Sequence, residues 1–309
     1  MRRGWVVTFA LLASSLLTLA AAQAPPAPAP TAHAEYVGNE ACKDCHEKEY
    51  TAYTASAHGR VNGDASALPS KLDCETCHGP GSLHVKADND KSDPGFATMR
   101  VFSKLPAAEA NATCLSCHNG GEQFYWAHSS HARHDVACVQ CHSMHDPQDP
   151  GHAKLLKTET VTETCIGCHK TKQFQMSKSA HMPLREGSMD CASCHNPHGT
   201  ATPHQIRATT VNELCTGCHA DKRGPMLWEH APVRESCLNC HEPHGANNDK
   251  VLTAKRPYLC QRCHIGTRHP ATLYDFPDLA SNRLFNRSCQ NCHSQIHGSN
   301  DPSGKFFLR

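Results

Sequence analysis

The sequence predicts short α-helices and loops, with almost no β-sheet, arranged around bound groups instead of an apolar core. Of the 309 residues, 20 are cysteine and 25 are histidine, but only 6% are aromatic. Runs of alternating Val, Ile and Tyr, which would indicate strands, are missing. A chain of this length with so few large apolar side chains has difficulty filling an ordinary core. Charge is nearly balanced, 30 Lys and Arg against 29 Asp and Glu, so nothing indicates a nucleic-acid-binding surface.

The amino terminus resembles a secretory signal. Residues 1–22 have a basic start, an apolar stretch and a small-residue end. We expect cleavage before Gln23; the alternative is an uncleaved anchor, because an apolar stretch of about eighteen residues is borderline for a membrane span. Residues 23–37 include a Pro- and Ala-rich stretch that predicts an extended tether.

Every cysteine belongs to one motif, Cys-x-x-Cys-His, which occurs ten times and is numbered 1 to 10 in chain order. This motif is typical of c-type haem attachment, in which both thiols add to the porphyrin and the histidine binds the iron. Zinc ribbons and disulfides also use Cys-x-x-Cys, but neither requires the histidine. We therefore predict ten covalently bound haem c groups. The motifs are Cys42/Cys45/His46, Cys74/Cys77/His78, Cys114/Cys117/His118, Cys138/Cys141/His142, Cys165/Cys168/His169, Cys191/Cys194/His195, Cys215/Cys218/His219, Cys237/Cys240/His241, Cys260/Cys263/His264 and Cys289/Cys292/His293.

The histidines outside the motifs repeat with them. At least one histidine lies between an odd-numbered motif and the next even-numbered motif, and at least one more follows the even-numbered motif. This pattern divides a decahaem domain, residues 38–309, into five two-haem units that start near residues 42, 114, 165, 215 and 260. A second histidine can close the other face of a haem, so we predict ten distal iron ligands. They are the inner histidines His58, His131, His181, His230 and His269 and the trailing histidines His84, His145, His198, His244 and His297.

Short spacing indicates that trailing histidines bind a haem of another motif. His244 follows His241 by three residues, and three residues of chain reach only about 10 Å. That is too short to pass around the macrocycle, so His244 should bind a different haem. The same argument applies to His145, His198 and His297. The alternative is a histidine in a surface turn.

Other ligand choices remain open. His128 and His134 flank His131 and could replace it, and Met144 or Met182 could serve in place of a histidine. Solvated side chains are the expectation for the five unassigned histidines, which are His33, His128, His134, His152 and His204.

Short helices should lead into the motifs. In VTETCIGCH, starting at Val161, and VNELCTGCH, starting at Val211, a Thr or Asn can cap the helix start. Stacked porphyrins should form most of the core. We therefore predict the fold of a multihaem cytochrome c, an elongated haem wire of loops and short α-helices.

Residues 222–245, KRGPMLWEHAPVRESCLNCHEPHG, resemble the periplasmic decahaem cytochromes of the MtrA/DmsE family, as does CHSQIHGSNDPSGK near the carboxyl terminus. The resemblance covers nearly all of residues 38–309 and includes residues outside the motifs, such as Arg223 and Trp228. It implies haems with two histidine ligands, and the ten motif histidines and ten second histidines named above match. Ser130 stands where a family member carries another histidine.

The predicted function is electron transfer, not catalysis, because irons closed on both faces offer no position to a substrate. Two histidine ligands should also keep the potentials low. The resemblance implies conduction between periplasm and cell exterior, for metal reduction or iron oxidation, by a chain inserted in an outer-membrane β-barrel porin. The implied partners are an extracellular multihaem cytochrome and a periplasmic or inner-membrane cytochrome.

Two alternatives to this function remain. One is a free periplasmic shuttle to a terminal reductase such as a dimethyl sulfoxide reductase. The other is a multihaem enzyme of the nitrite-reductase type, which would need one five-coordinate haem.

Overall fold

Short helices and loops make up the computed structural model, which describes residues 33–61, 73–149, 151, 154–264 and 288–308. Within these ranges no β-strand occurs, and strand-like pairing is limited to isolated bridges such as His142 with Leu156. The predicted fold class is confirmed in this respect. The signal-like residues 1–22 lie outside the described residues. No helix in the described part of the chain is long and apolar enough to cross a membrane.

The longest of the described α-helices have nine residues. Helices this short are unstable alone, so contacts at their ends and between units must hold them. The helices are α1 (Asn39–Lys43), α2 (Glu47–Ala55), α3 (Ala57–Val61), α4 (Cys74–His78), α5 (Ser82–Lys86), α6 (Ala107–Leu115), α7 (Ser130–Arg133), α8 (Cys138–Cys141), α9 (Val161–Ile166), α10 (Lys170–Met176), α11 (Val211–Thr216), α12 (Ala231–Glu235) and α13 (Tyr258–Gln261). Most other ordered segments are 3-10 turns, including Cys191–Ser193, Cys237–Asn239 and Cys289–Asn291 at motifs 6, 8 and 10.

Threonine caps start the helices that carry motifs 5 and 7. The Thr160 hydroxyl accepts a hydrogen bond from the Glu163 backbone N–H at 3.1 Å, and the Glu163 carboxylate accepts one from the Thr160 N–H at 3.1 Å. Thr210 and Glu213 repeat this arrangement at α11. Such reciprocal bonds satisfy backbone donors that a helix start leaves unpaired. A threonine thus caps each helix, but it lies immediately before the stretch in which the cap was expected and not within it.

Asn212 does not cap α11, and the expectation of an asparagine cap is wrong there. The residue lies inside the helix, and its side chain reaches the other motif of the same unit. Its Nδ2 donates to the Val233 carbonyl at 2.9 Å, and its Oδ1 accepts from the Cys237 N–H at 2.8 Å. The amide therefore joins motif 7 to motif 8.

The same contact occurs in the first two units, again from an asparagine three residues before the odd-numbered motif. Asn111 donates to the Val136 carbonyl at 3.0 Å and accepts from the Cys138 N–H at 2.7 Å. Asn39 accepts from the Cys74 N–H at 2.7 Å. We refer to Asn39, Asn111 and Asn212 as the clamp asparagines, because each fixes the distance between the two motifs of its unit.

The ten motifs follow one another in space in the order of the sequence. Within each unit, the thiols of the two first cysteines are close enough to interact: Cys42 with Cys74, Cys114 with Cys138, Cys165 with Cys191, Cys215 with Cys237 and Cys260 with Cys289. Between units the second cysteines interact in the same way: Cys77 with Cys117, Cys141 with Cys168, Cys194 with Cys218 and Cys240 with Cys263.

Side chains fill little of the interior. The larger buried apolar residues are few, among them Trp126, Met176 and Leu252. A cavity of about 3960 Å³ runs between Ser130 and Leu308 and is lined by the histidines of motifs 5 to 10. This volume is several times the roughly 300–1,000 Å³ of a site for one small ligand. The fold therefore leaves room for several large groups beside the motifs.

The predicted tether is bound to the first unit at its carboxyl-terminal end. Glu75 is 1% exposed, and its carboxylate accepts backbone hydrogen bonds from Val37 at 3.0 Å and Gly38 at 2.8 Å. Glu35 and Ser82 exchange two further hydrogen bonds, at 2.8 and 3.1 Å. The chain is thus held from Glu35 onward, two residues before the predicted end of the tether.

Candidate haem sites

Each motif forms one helical turn that presents its three functional side chains together. The backbone N–H of the motif histidine donates to the carbonyl of the first cysteine, as from His46 to Cys42 at 2.9 Å and from His195 to Cys191 at 3.0 Å. Residues at positions i, i+3 and i+4 of such a turn share one face. Two thiols and one imidazole therefore project to the same side, as a porphyrin bound through two thioethers and its iron requires.

The two cysteines of a motif differ in exposure. All ten first cysteines are half-buried, as a site inside a haem core implies, whereas the second cysteines of seven motifs are exposed, which departs from that expectation. The exposed second cysteines are Cys45, Cys77, Cys117, Cys168, Cys218, Cys263 and Cys292.

Cys45, the second cysteine of motif 1, is one of the exposed second cysteines. Eight second cysteines lie close to a counterpart across a unit boundary, as Cys77 does to Cys117. Cys45 and Cys292 are not among these eight. The turn itself is formed, because the Cys45 backbone N–H donates to the Cys42 carbonyl at 3.3 Å. Cys45 is therefore placed to attach a haem at an exposed edge, and its attachment stays a prediction.

Eight motif histidines have a second histidine ring opposite them, with ring centres 5.8 to 6.3 Å apart. Two imidazoles that bind one metal ion from opposite sides, with bonds of about 2 Å, would have ring centres about 6 Å apart. The separation therefore fits one iron between each two rings. The pairs are His46–His84, His78–His145, His118–His58, His142–His198, His169–His131, His195–His244, His241–His297 and His264–His230.

The pairs follow a fixed register along the chain. Inner histidines pair with the first motif of the next unit, as His58 does with His118 and His131 does with His169. Trailing histidines pair with the second motif of the preceding unit. For example, His244 faces His195 and does not face His241, which lies only three residues before it in the sequence. In the first unit, the trailing histidine His84 pairs with His46 of its own first motif.

Burial keeps most of the second histidines in the neutral form that a metal binds. Desolvation, followed by the effect of the facing His142, lowers the pKa of His198 to about 4. Desolvation is likewise the main reason for a lowered pKa at His58, His145, His230, His244 and His297.

Backbone carbonyls orient several of the paired rings. His142 Nδ1 contacts the Lys154 carbonyl at 2.7 Å, and His131 Nδ1 contacts the Pro197 carbonyl at 2.7 Å. A proton on Nδ1 leaves Nε2 as the nitrogen that can bind a metal. The same contact is made by His78, His84, His195 and His241.

His181 differs from the other predicted distal ligands. Its Nε2 lies 3.0 Å from a Glu186 carboxylate oxygen and its Nδ1 lies 2.9 Å from the Lys178 carbonyl. The hydrogen bond to Glu186 raises the pKa of His181, opposite to the shift at the buried rings. The structure pairs His219, the motif histidine of the next unit, with none of the described histidine rings. His181 as a ligand therefore stays a prediction.

The remaining candidates are placed as follows. His131, and not His128 or His134, faces His169, while His134 Nδ1 bonds the Ser130 carbonyl at 2.7 Å. His269, the predicted inner histidine of the last unit, lies outside the described residues. In the described part of the chain, no three His, Cys, Asp or Glu side chains converge on a metal-ion site of the kind that a zinc ribbon needs.

Comparison with known proteins agrees with the motif geometry. Residues 181–224 and 230–269 match the family described as "Doubled CXXCH motif", and residues 74–159 match "Cytochrome c-type protein NrfB-like". The chain is a multihaem c-type cytochrome, an electron-transfer protein with covalently bound haem.

Two relatives define the family further. Multiheme cytochrome MtrA of Shewanella baltica is 41% identical over 280 residues, which cover 88% of this chain and 81% of the relative. Cytochrome c-type protein NrfB of Escherichia coli is 30% identical over 137 residues, which cover 43% of this chain and 66% of the relative. The chain belongs to the MtrA family of multihaem cytochromes, and the resemblance inferred from the sequence is confirmed.

Proposed function

We propose that this cytochrome conducts electrons along ten haems, each held between a motif histidine and a second histidine. The observation that carries the proposal is the set of eight histidine pairs with ring centres about 6 Å apart. Haem c supplies one-electron chemistry through its iron, which cycles between Fe(III) and Fe(II). The paired histidines would hold the iron from both faces, and the order of the cysteines would keep successive haems adjacent.

The pairing rule seen at the eight described pairs can be extended to motifs 7 and 10, whose histidine pairs are not seen among the described residues. An inner histidine pairs with the first motif of the next unit, which assigns His181 to His219. His293 is then the one motif histidine without an assigned partner, and His269 is the remaining second histidine. His269 would therefore pair with His293 of its own unit, in the way that His84 pairs with His46. This completes ten bis-histidine sites.

Closed iron faces favour a carrier over an enzyme. At the eight described pairs, the second ring would occupy the position where a substrate would bind the iron, which leaves no open coordination site there. Two histidine ligands without methionine favour low potentials. Cysteines of consecutive motifs lie close to one another, from Cys42 and Cys74 to Cys260 and Cys289, and this closeness would give the electron a continuous path.

We further propose that the conductor acts between periplasm and cell exterior, inserted in an outer-membrane β-barrel. Membership of the MtrA family and the signal-like residues 1–22 support this location. The partners would be the barrel, an extracellular multihaem cytochrome and a periplasmic or inner-membrane cytochrome. A free periplasmic shuttle to a terminal reductase is the alternative.

The test begins with the intact protein from its native membrane. We expect the mass of ten haems per chain, a wholly low-spin spectrum at rest and co-purification with a β-barrel protein. Fewer than ten haems, or carbon monoxide binding by the reduced protein, would overturn the ten-site conductor. A protein that washes free of membranes with ten low-spin haems would support the periplasmic shuttle instead.

A further inference from the structure

One paired histidine donates to a carboxylate instead of a backbone carbonyl. His244 Nδ1 lies 3.0 Å from Oε1 of Glu242, and the same oxygen accepts from the His244 backbone N–H at 3.3 Å. Among the eight described pairs, no other ring has a carboxylate on its Nδ1. The remaining ring nitrogen, Nε2, is free to face His195. Glu242 therefore contacts the proposed ligand of the haem at motif 6 through Nδ1, the ring nitrogen that would not bind the iron.

A second turn in the same chain provides an internal comparison. CHNPHG, residues 194–199, has Asn196 where CHEPHG, residues 240–245, has Glu242. Asn196 Oδ1 accepts from the His198 backbone N–H at 3.0 Å, so both residues hold the turn alike. The imidazoles differ, because His198 Nδ1 is buried without a hydrogen-bond partner in the structure. The two turns therefore differ in whether the trailing imidazole has a carboxylate acceptor at Nδ1.

The chemical effect of that acceptor has a definite sign. A carboxylate that accepts the outer proton of a metal-bound imidazole makes the other nitrogen a stronger donor. A stronger donor, together with the nearby negative charge, favours Fe(III) over Fe(II). Side-chain exposures of 36% for Glu242 and 30% for His244 leave this charge only partly screened.

Lys172 opposes this effect in part. Its Nζ lies 3.5 Å from His244 Nδ1. An ammonium group cannot accept the Nδ1 proton, so Lys172 acts on the site by charge alone. The proton acceptor is Glu242, whose hydrogen bond is shorter. The net effect therefore follows the carboxylate.

We propose that Glu242 is a positioning residue that lowers the potential of the haem between His195 and His244, relative to the haem between His142 and His198. The inference rests on the proposed bis-histidine sites. It places a step in potential in the middle of the conductor, between motifs 4 and 6. Glu242 would thereby influence how readily an electron passes through the central unit.

The test is a redox titration of the holoprotein, with Glu242→Asn, Glu242→Gln and Glu242→Asp. Glu242→Asn gives the turn at residues 240–245 the residue that the similar turn at residues 194–199 already contains. We expect one haem equivalent to shift upward in Glu242→Asn and Glu242→Gln, by about tenfold in its Fe(II)/Fe(III) ratio, or about 59 mV for a one-electron couple. Glu242→Asp should return the curve toward wild type.

Asp249→Asn is the matched control. It removes one negative charge from the loop that follows motif 8, but among the described residues Asp249 makes no side-chain contact with a ligand histidine. We expect its titration curve to match wild type. An unshifted Glu242→Asn curve, or an equal shift in Asp249→Asn, would overturn the role of Glu242. The spin state separates this outcome from failure of the proposed function, since a wild-type protein with an open haem at motif 6 would disprove the bis-histidine site itself.

Discussion

The imidazole rings of His58 and His118 lie 5.8 Å apart with their planes at 85°. His131 and His169 are also strongly crossed, at 66°, whereas the other six pairs lie within 26° of parallel. The relative orientation of two axial imidazoles affects the splitting of the iron d orbitals. We therefore expect electron paramagnetic resonance of the oxidised protein to resolve two classes of low-spin haem. Among the eight described pairs, motifs 3 and 5 belong to the minority class.

Two variants assign these signals. His58→Ala should remove part of the minority class, while His84→Ala, in a pair whose planes differ by 22°, should remove part of the majority class. Both variants should keep all covalent haems, because the cysteines are untouched. Identical spectral losses from the two variants would contradict the assignment by ring orientation.

His244→Ala should open the haem of motif 6, because His244 faces His195 across 6.2 Å. We expect one high-spin haem per chain, carbon monoxide binding after reduction and an unchanged haem mass. Electron passage along the chain should be interrupted at this point. His204→Ala is the control, since only the backbone carbonyl of His204 contacts a motif histidine. A wholly low-spin His244→Ala protein would show that His244 is not a ligand.

His181→Ala tests the register where the structure does not display a pair. If His181 leaves Glu186 to bind the haem of motif 7, the variant should gain one high-spin haem. Glu186→Gln should then leave the low-spin spectrum unchanged, because Glu186 would hold no part of the site. A low-spin His181→Ala spectrum would point to a different ligand for that haem, Met182 being the neighbouring candidate.

Asn111→Ala should destabilise the second unit. Asn111 is 6% exposed, and its loss leaves the half-buried Cys138 N–H and Val136 carbonyl without their partner. A buried polar group left unpaired costs about 1–3 kcal/mol, so we expect a lower thermal unfolding midpoint for the holoprotein. Glu109→Gln, at an exposed position of the same helix, is the control and should unfold as the wild type does. An unchanged midpoint in Asn111→Ala would contradict the clamp role.

Acid should release the amino-terminal segment from Glu75. Burial alone would raise the pKa of Glu75, but backbone N–H donors from Gly38, Val37 and Gly81 hold it below its ordinary value of 4.5. A group with a lowered folded-state pKa stabilises the fold fully above its unfolded pKa, and the contribution is lost as pH falls through the folded value. We expect hydrogen exchange at Val37 and Gly38, corrected for its intrinsic pH dependence, to rise on acidification below 4.5.

Glu75→Gln should show this faster exchange already at neutral pH and lose the acid dependence. Glu47→Gln, at an exposed position on α2, is the control and should behave as wild type. Protection at Val37 that persists in Glu75→Gln would show that other contacts hold the segment.

Attachment chemistry could be predicted from sequence because it is local. Two thiols and a histidine within five residues occupy one helical turn, and no distant contact is needed to bring them together. The pairing of His142 with His198 could not be predicted, since it depends on how consecutive units meet. The clamp role of Asn212 could have been found in the sequence, because an asparagine lies three residues before three of the odd-numbered motifs. The preference of asparagine for helix starts predicted a helix cap instead. Glu242 and Asn196 occupy the same position in two similar turns. Only the contact of Glu242 with the His244 ring indicates that this difference matters.

Exchange of histidines between neighbouring units has a consequence for how such proteins can grow. The inner histidine of an interior unit pairs with the next unit, and its trailing histidine pairs with the preceding unit. The same unit receives one histidine from each neighbour. Deleting or duplicating a whole unit would therefore bring equivalent partners together. Removing a single motif would instead leave a second histidine without a haem to bind and would interrupt the pairing of the neighbouring units. Conductors of this design should therefore vary in length by increments of two haems, and a spliced chain with one interior repeat fewer should still mature as an octahaem protein.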